Sequence, residues 1–148
     1  MQFIEVDNSN IKTLYDLNLQ LAEDEDQKEL FTASRDSYHK EFLSKNSISW
    51  SFLVFDENIA IGFYIYYFKF ASYLGAKVLY IEDIYLTKES SSLKNKTILL
   101  DHALKHAKDS NCCRVEMRVL KNFNIGYELI MDFGFQAINK WDVFRLEG

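Results

Sequence analysis

The stretch GFYIYYFKFASYLGAKVLYIEDIYL, residues 62–86, decides the fold. It holds most of IAIGFYIYYFKF and all of KVLYIEDIYL, two aromatic and β-branched runs of the kind found in paired antiparallel strands. A similar run, SISWSFLVF, lies just before them across the short turn DEN, which predicts a hairpin. Three consecutive strands therefore form the centre of a predicted sheet.

Helices and further strands surround this centre. Before it come the short strand QFIEV, a helix with apolar residues at 11, 14, 17 and 21, and a second helix, Thr32 to Leu43. After it come a helix introduced by SSSLKNK, the strand CRVEMRVL, a helix from about Asn122 to Phe133, and FQAINKWDVFRLE as one or two strands. The order predicts a single α+β domain, residues 1–148, with a mixed, mostly antiparallel twisted sheet of about six to seven strands and helices on both faces.

Composition narrows the class of protein. With 48% hydrophobic and 16% aromatic residues, the 148-residue chain can bury a proper core. A net charge of -5 argues against a nucleic-acid or anionic-membrane binder and suits a cationic small substrate. Cys112 and Cys113 are adjacent, which disfavours a disulfide, and neither a leader nor an apolar membrane span is seen. We therefore expect a cytoplasmic protein with reduced thiols.

The block from Gly62 to Leu86 resembles the pattern Gly-Phe-x-x-Tyr-(Tyr/Phe)-Phe, a Ser near a Gly, and (Leu/Ile)-Tyr-(Leu/Ile)-Glu-Asp of the diamine (spermidine/spermine-type) N-acetyltransferases of the GNAT superfamily. LQLAEDE, LLDHALKHAKDSNCCRVEMRVL and DFGF extend the similarity over nearly the whole chain. The resemblance implies a GNAT fold, acetyl-CoA as cofactor, and acetyl transfer to a polyamine, diamine or lysine-like amine. We read the aromatic run 63–70 as sheet packing and expect a homodimer, with one face of this run as its contact.

In the resembled family, the loop after the strand that corresponds to KVLYIEDIYL reads (Arg/Gln)-x-x-Gly-x-(Gly/Ala). This loop and the N-terminus of the next helix hold the pyrophosphate of acetyl-CoA. The six motif positions fall here on residues 91–96, none of which matches, and a non-glycine residue forced to positive φ would cost roughly 1 to 2 kcal/mol. Either lysine and serine side chains replace the backbone contacts, or the loop has lost phosphate binding. The cofactor-binding residues that the resemblance implies are Ile84, Tyr85, Leu86, Ser91, Ser92, Leu93, Lys94, Asn95, Lys96 and Thr97.

The resemblance also places the acid–base groups. The Glu82-Asp83 pair would lie beside the acceptor cleft, and strand alternation sends neighbouring side chains to opposite faces unless a bulge intervenes. We therefore choose Glu82 as the catalytic base and Asp83 as a second anionic contact; a structural ion pair is the alternative for Glu82. The family's usual acid, a tyrosine, is replaced by Ile130, and Tyr127, one helical turn earlier, is the candidate substitute.

Four consecutive acidic residues, 23–26, end the first predicted helix, in a segment that helps line the amine groove of the resembled enzymes. Glu23 and Glu25 are accordingly substrate-binding candidates, although a solvated helix end gives the same pattern. His102 and His106 are four residues apart, but they alternate with charged residues on what we take as the polar helix face, so no metal site is expected. The alternative function is a degenerate GNAT-fold protein that binds a partner or ligand without acetyl transfer.

Overall fold

A computed structural model describes residues 1–121 and 125–148 of the chain and shows one mixed sheet with the strand order β1-β2-β3-β4-β5. Strands β1 to β4 pair antiparallel, and β5 pairs parallel to β4. The parallel step is made possible by a helix that crosses one face between β4 and β5. The strands are β1 (Gln2–Glu5), β2 (Trp50–Asp56), β3 (Ile59–Ala71), β4 (Ala76–Leu86) and β5 (Arg114–Met117).

Helices cover both faces of the sheet, which confirms that part of the prediction. The apolar stripe of the first helix packs with Tyr38 of the second against Leu53, Phe63 and Tyr85, while the third and fourth helices pack on the opposite face. None of the helices in the described ranges has the length and apolar content needed to cross a bilayer. The helices are α1 (Ile11–Asp24), α2 (Arg35–Leu43), α3 (Leu93–Asp109) and α4 (Tyr127–Asp132), with short 3-10 turns at Lys28–Leu30 and Lys88–Ser90.

The expectation of six to seven strands is wrong, because the described sheet has five. The segment FQAINKWDVFRLE contains no strand, and Val143, Phe144 and Leu146 are more than 90% exposed. An alternating apolar pattern becomes a strand only where it pairs with an edge and buries a face, and this segment pairs with no strand and stays mostly exposed.

The last helix also begins later than predicted. It starts at Tyr127, directly after Gly126, whose φ of 88° is a conformation that glycine adopts readily and other residues rarely do. The predicted start at Asn122 lies outside the described residues, as do Phe123 and Asn124. The helix ends at Asp132, one residue before the predicted end.

The two histidines of α3 do not lie on a solvated face, so that expectation is wrong as well. The His102 ring stacks on Phe3 with centroids 3.7 Å apart and shares a 3.0 Å hydrogen bond with the Tyr64 hydroxyl. His106 meets the rings of Phe52 and Tyr66 edge-on. The buried face of α3 is therefore wider than its aliphatic residues indicate, because the aromatic sheet surface also covers both imidazoles.

Candidate functional site

The strands β4 and β5 separate at the centre of the sheet and open a cavity. Their pairing ends at Ile81 and Met117, and residues 82–84 and 118–120 line a cavity of about 590 Å³. The inner surface of α1 and Tyr38 of α2 supply further walls. Because a parallel pair that splays apart leaves polar backbone and side chains facing one space, this opening is the natural place for a ligand.

A β-bulge in β4 brings two carboxylates into this cavity. Ile65 of β3 pairs with Asp83, whereas the next residue, Tyr66, pairs with Ile81, so Glu82 is an extra residue without a partner in the register. Both Glu82 and Asp83 therefore line the cavity instead of pointing to opposite faces. Regular alternation would have allowed only one of them to serve this site, and the bulge removes that restriction.

Arg118, just after β5, neutralises part of this charge. Its Nη2 lies 2.6 Å from Glu82 Oε1 and 3.9 Å from Asp83 Oδ1, and its Nε donates to the backbone oxygen of Glu82 at 3.4 Å. The Arg118 side chain remains 54% exposed, so the pair with Glu82 is solvated and contributes little to stability. A cationic ligand could therefore displace this guanidinium at low cost.

Two carboxyl groups of the cavity, Asp83 and Glu25, have pKa values above the usual range. Burial raises the pKa of Asp83, and the nearby charge of Glu82 raises it further, although Arg118 opposes both. Burial also raises the pKa of Glu25, and the charge of Asp83 adds to that effect. A cation between Glu25 and Asp83 would lower both pKa values. Binding of positive charge in this cavity is therefore favourable.

The acidic run 23–26 is divided among different roles. The Glu23 carboxylate pairs with Lys28 at 2.6 Å and faces solvent. Asp24 accepts a 2.7 Å hydrogen bond from the Tyr85 hydroxyl and pairs with Lys88 at 2.9 Å; burial alone would raise its pKa, but these partners hold it below the usual value. Of the four, Glu25 is the residue that lines the cavity.

Several residues that line the cavity were not predicted from the sequence. The Asn18 amide, buried on α1, donates a 2.7 Å hydrogen bond to the hydroxyl of Tyr38, and both residues line the cavity. Arg118 and Arg145 line it too. A signal existed for Asn18, a polar residue between Leu14 and Leu21 on the apolar stripe, because a buried amide needs a polar partner. No comparable pattern marks the two arginines.

The loop that leads into α3 needs no glycine. Its backbone has no positive φ between residues 87 and 97, so the anticipated strain does not arise. Ser92 caps the helix by accepting from the Asn95 N–H at 3.1 Å, and the Ser91 hydroxyl donates to the Thr87 carbonyl at 2.8 Å. The Asn95 amide donates to the Ser90 carbonyl. The chain thus closes this turn with its own side chains.

Some capacity for an anion remains at this helix start. Within the described part of the chain, the backbone N–H groups of Leu93 and Lys94 donate no hydrogen bond, and neither Lys94 nor Lys96 forms an ion pair. Two free N–H groups at the positive end of a helix, beside two lysines, suit a phosphate. The Thr97 hydroxyl donates to the Leu93 carbonyl and is turned away from this role.

The three cofactor candidates on β4 lie in different surroundings. Ile84 lines the cavity, whereas the buried Tyr85 points its hydroxyl at Asp24. Leu86 is fully buried in the core beneath α3, and its carbonyl accepts from Ser91. Tyr127 opens α4, is 44% exposed and is not among the residues that line the cavity, while Ile130 is buried.

The described sheet splits between β4 and β5, after which the chain enters the N-terminus of α3, and a bulge at the split carries two carboxylates. The model of the acetyltransferase (GNAT) family matches residues 11–135, and the chain belongs to this family. The described residues contain no group of three or more His, Cys, Asp or Glu side chains placed to hold a metal ion.

Solved structures share the fold at low sequence identity. A predicted acetyltransferase from Clostridium acetobutylicum, solved with acetyl-CoA, is 19% identical with a TM-score of 0.74, over 97% of this chain and 95% of that one. A ribosomal-protein-alanine N-acetyltransferase from Brucella melitensis is 13% identical with a TM-score of 0.76, over 100% of both chains. An aminoglycoside N-acetyltransferase in complex with CoA is 15% identical with a TM-score of 0.68, over 99% and 100%. A search among curated proteins found no significant match.

Proposed function

We propose that this protein transfers the acetyl group of acetyl-CoA to a small cationic amine, such as a polyamine, a diamine or a lysine-like acceptor. The observation that carries the proposal is the cavity in which the carboxylates of Glu25, Glu82 and Asp83 meet. Three carboxyl groups facing one space, two of which (Glu25 and Asp83) have pKa values raised by burial and by a neighbouring carboxylate charge, support an amine over a neutral or anionic acceptor. The diamine-type resemblance of the block 62–86 points to the same class.

Acetyl-CoA would supply an activated thioester, and the chain offers groups that suit its phosphates. The free N–H groups of Leu93 and Lys94, with the side chains of Lys94 and Lys96, lie at the start of α3. Ile84 lines the cavity beside Glu82 and Asp83. The residues present therefore fit the cofactor, although with fewer backbone donors than a glycine loop offers.

Glu82 is the proposed base. In the reaction, the amine nitrogen bonds to the acetyl carbon, the carbon–sulfur bond breaks, one proton passes from nitrogen to Glu82, and the CoA sulfur takes up one proton. Asp83 and Glu25 would hold the ammonium group that does not react, and Arg118 would leave Glu82 as the acceptor enters. Tyr127 is the proposed but distant acid; a thiolate is a tolerable leaving group without it.

Calorimetric titration with acetyl-CoA and with CoA at low salt tests the cofactor first. We expect micromolar binding that weakens about tenfold in the Lys94→Ala/Lys96→Ala double variant and is unchanged in Lys108→Ala, which removes an exposed lysine at the far end of α3. Absence of heat with either ligand up to about 1 mM would refute cofactor binding.

An amine panel then tests the acceptor and the base. We expect acetylation of polyamines and diamines, with kcat falling about 100-fold or more in Glu82→Gln and KM rising in Asp83→Asn and in Glu25→Gln. The neighbouring Glu23→Gln serves as control, since that carboxylate pairs with Lys28 at the surface. Turnover of another amine class alone would overturn the substrate proposal.

A catalytically inactive GNAT-fold protein is the second candidate function. Two observations favour it: Ser92 already caps the helix that would hold the pyrophosphate, and the buried Ile130 occupies the position of the usual acid. This protein would bind a partner or ligand through the same cavity without acetyl transfer. This second candidate predicts that titration with acetyl-CoA or CoA gives no heat of binding and that no amine is acetylated.

We also propose a homodimer, in a reducing compartment such as the cytoplasm. The outer edge of β5 is a sheet edge, and five large apolar residues of the C-terminal segment are 69–97% exposed: Ile138, Trp141, Val143, Phe144 and Leu146. A second copy would cover this surface. Light scattering should give twice the chain mass and, after deletion of residues 136–148, a monomer. The two free cysteines suit a reducing environment.

A further inference from the structure

The two arginines that line the carboxylate cavity are engaged differently. Arg118 is held by the Glu82 carboxylate at 2.6 Å and lies 3.9 Å from that of Asp83. Among the described residues, Arg145 forms no ion pair with a carboxylate of the cavity. Its Nη1 lies 3.8 Å from Glu147 Oε1, and both of these side chains are mostly exposed. Because a solvated contact of this length is weak, the Arg145 guanidinium is available to a ligand.

Arg145 reaches the cavity from a segment that otherwise faces solvent. Its neighbours Phe144 and Leu146 are more than 90% exposed, and residues 136–148 contain no helix or strand. Of these thirteen residues, Arg145 is the one that lines the cavity. The side chain therefore adds charge to the cavity and contributes little to the core.

A neutral hydrogen-bond donor lines the same cavity. The Tyr38 hydroxyl accepts from the Asn18 amide at 2.7 Å, and its own O–H donates to no acceptor within the described part of the chain. Burial raises the pKa of Tyr38 far above its usual value, so the hydroxyl stays protonated and remains a donor. Gln27 adds a side-chain amide to the lining. The cavity thus offers donors as well as its three carboxylates.

These donors distinguish between classes of acceptor. An alkylammonium group has three N–H donors and no lone pair, so it satisfies the carboxylates but leaves Arg145 and Tyr38 without an acceptor. A carboxylate on the same molecule accepts from both side chains, and a guanidinium can hold it through two parallel hydrogen bonds.

The charge of the cavity favours the same class. Three carboxylates and two guanidinium groups leave one negative charge in excess when all are ionised. A diamino acid, with two ammonium groups and one carboxylate, carries a single net positive charge. A diamine or polyamine carries at least two, so the diamino acid matches the cavity better.

We propose that Arg145 is a specificity-determining residue that binds the carboxylate of a zwitterionic acceptor, a diamino acid of the lysine type. The carboxylates of the cavity take its ammonium groups, and the Tyr38 hydroxyl donates a second hydrogen bond to its carboxylate. This inference rests on the proposed amine acetylation and narrows its acceptor to an amine that also carries a free carboxylate. Since Arg145 makes the same contact before and during acetyl transfer, it acts on binding and not on the chemical step.

Calorimetric titration with L-lysine, L-lysinamide and cadaverine at one ionic strength measures this preference without turnover. Lysinamide replaces the carboxylate by a neutral amide, and cadaverine lacks the group. We expect the protein to bind L-lysine about three- to tenfold more tightly than either of the others, the range for a partly exposed guanidinium–carboxylate pair. Equal or tighter binding of lysinamide or cadaverine would overturn the proposal, as would no binding of any of the three up to about 10 mM.

Variants assign the preference to one side chain. Arg145→Gln should remove it, Arg145→Lys should keep part of it, and Arg145→Glu should reverse it in favour of lysinamide. Lys140→Gln is the matched control, because Lys140 is an exposed cation of the same segment that does not line the cavity. A preference that survives in Arg145→Gln, or that is lost equally in Lys140→Gln, would contradict the assignment.

Acetylation kinetics separate this inference from the proposed function. Arg145→Gln should raise KM for L-lysine about three- to tenfold with kcat nearly unchanged, and it should leave KM for cadaverine unaltered. An equal fall in kcat for both amines would refute a role in binding. If lysine and cadaverine are acetylated with equal kcat/KM, acetyl transfer to amines stands and the role of Arg145 fails. If lysine binds through Arg145 but no amine is acetylated, the binding site stands and the proposed transfer fails.

Discussion

Replacing Gly62 with alanine should disrupt the sheet beside the candidate site. Gly62 of β3 pairs with Leu86 of β4, and a Cβ built on it would lie 2.2 Å from the Tyr85 carbonyl oxygen and 2.8 Å from Leu86 Cδ2. Ordinary carbon–oxygen contacts are about 3.3 Å, so the two strands would have to move apart by about 1 Å. The neighbour is backbone and cannot rotate away.

The loss of stability in Gly62→Ala can be worked out from this short distance between Cβ and the Tyr85 carbonyl oxygen. Strands pair at about 4.8 Å, and a 1 Å displacement weakens the local hydrogen bonds while the methyl group overpacks the core. Overpacking costs about 1–3 kcal/mol and each weakened hydrogen bond about 1 kcal/mol. We expect a loss of about 2–4 kcal/mol in the free energy of unfolding and a Tm lower by about 5–15 °C, measured by circular dichroism.

Two other glycines separate this clash from general effects of alanine. Gly148 has open space around it and an unremarkable backbone, so its alanine variant should match the parent protein. Gly75 also has open space but a φ of 61°, and alanine there should cost about 1–2 kcal/mol through backbone strain alone. A Gly62→Ala protein as stable as Gly148→Ala would refute the reasoning from close strand approach.

Four further outcomes can be measured. Asp83→Asn should gain Tm relative to the parent as pH rises from about 4 to 8, because a carboxyl with a raised pKa loses stabilisation when it ionises. Asp24→Asn should lose about 1–3 kcal/mol at neutral pH, and the loss should shrink in acid, since the pKa of this group is lowered. Urea titration should show Ser92→Ala about 1 kcal/mol less stable and Ser92→Asp close to the parent. Acetyl-CoA affinity, measured by calorimetry, should fall several-fold between low and physiological salt if the Lys94 and Lys96 charges hold its phosphates.

Much of the fold can be predicted from local patterns in the sequence. The apolar runs of β2 to β4 are buried on both faces of the sheet and the stripe on α1 is buried on one side of the helix, so sequence and packing agree there. The C-terminal segment has the same local signal, with Trp141 and Phe144, yet it forms no strand in the described structure. Pairing depends on an edge and a covering layer that a local pattern does not contain.

The site was predictable only in part. Leu79, Ile81, Ile84 and Leu86 face α3, and the two polar residues between the middle pair break the alternation by one position. That irregular spacing is the sequence signal of the bulge, and it places both carboxylates in one cavity. The cavity's Arg118 ion pairs depend on how far β5 diverges from β4, a tertiary property that the sequence does not display.

The glycine-free start of α3 has a physical explanation. A 3-10 turn at Lys88–Ser90 and a capping serine carry the chain from β4 into the helix with negative φ throughout. No residue of this loop is therefore strained by the lack of a glycine. The same serine occupies the N–H of Asn95 that an anion would otherwise use. A phosphate at this helix must therefore rely on the N–H groups of Leu93 and Lys94 and on lysine charge, or displace the Ser92 hydroxyl. Cofactor affinity and helix stability are consequently in competition at one side chain.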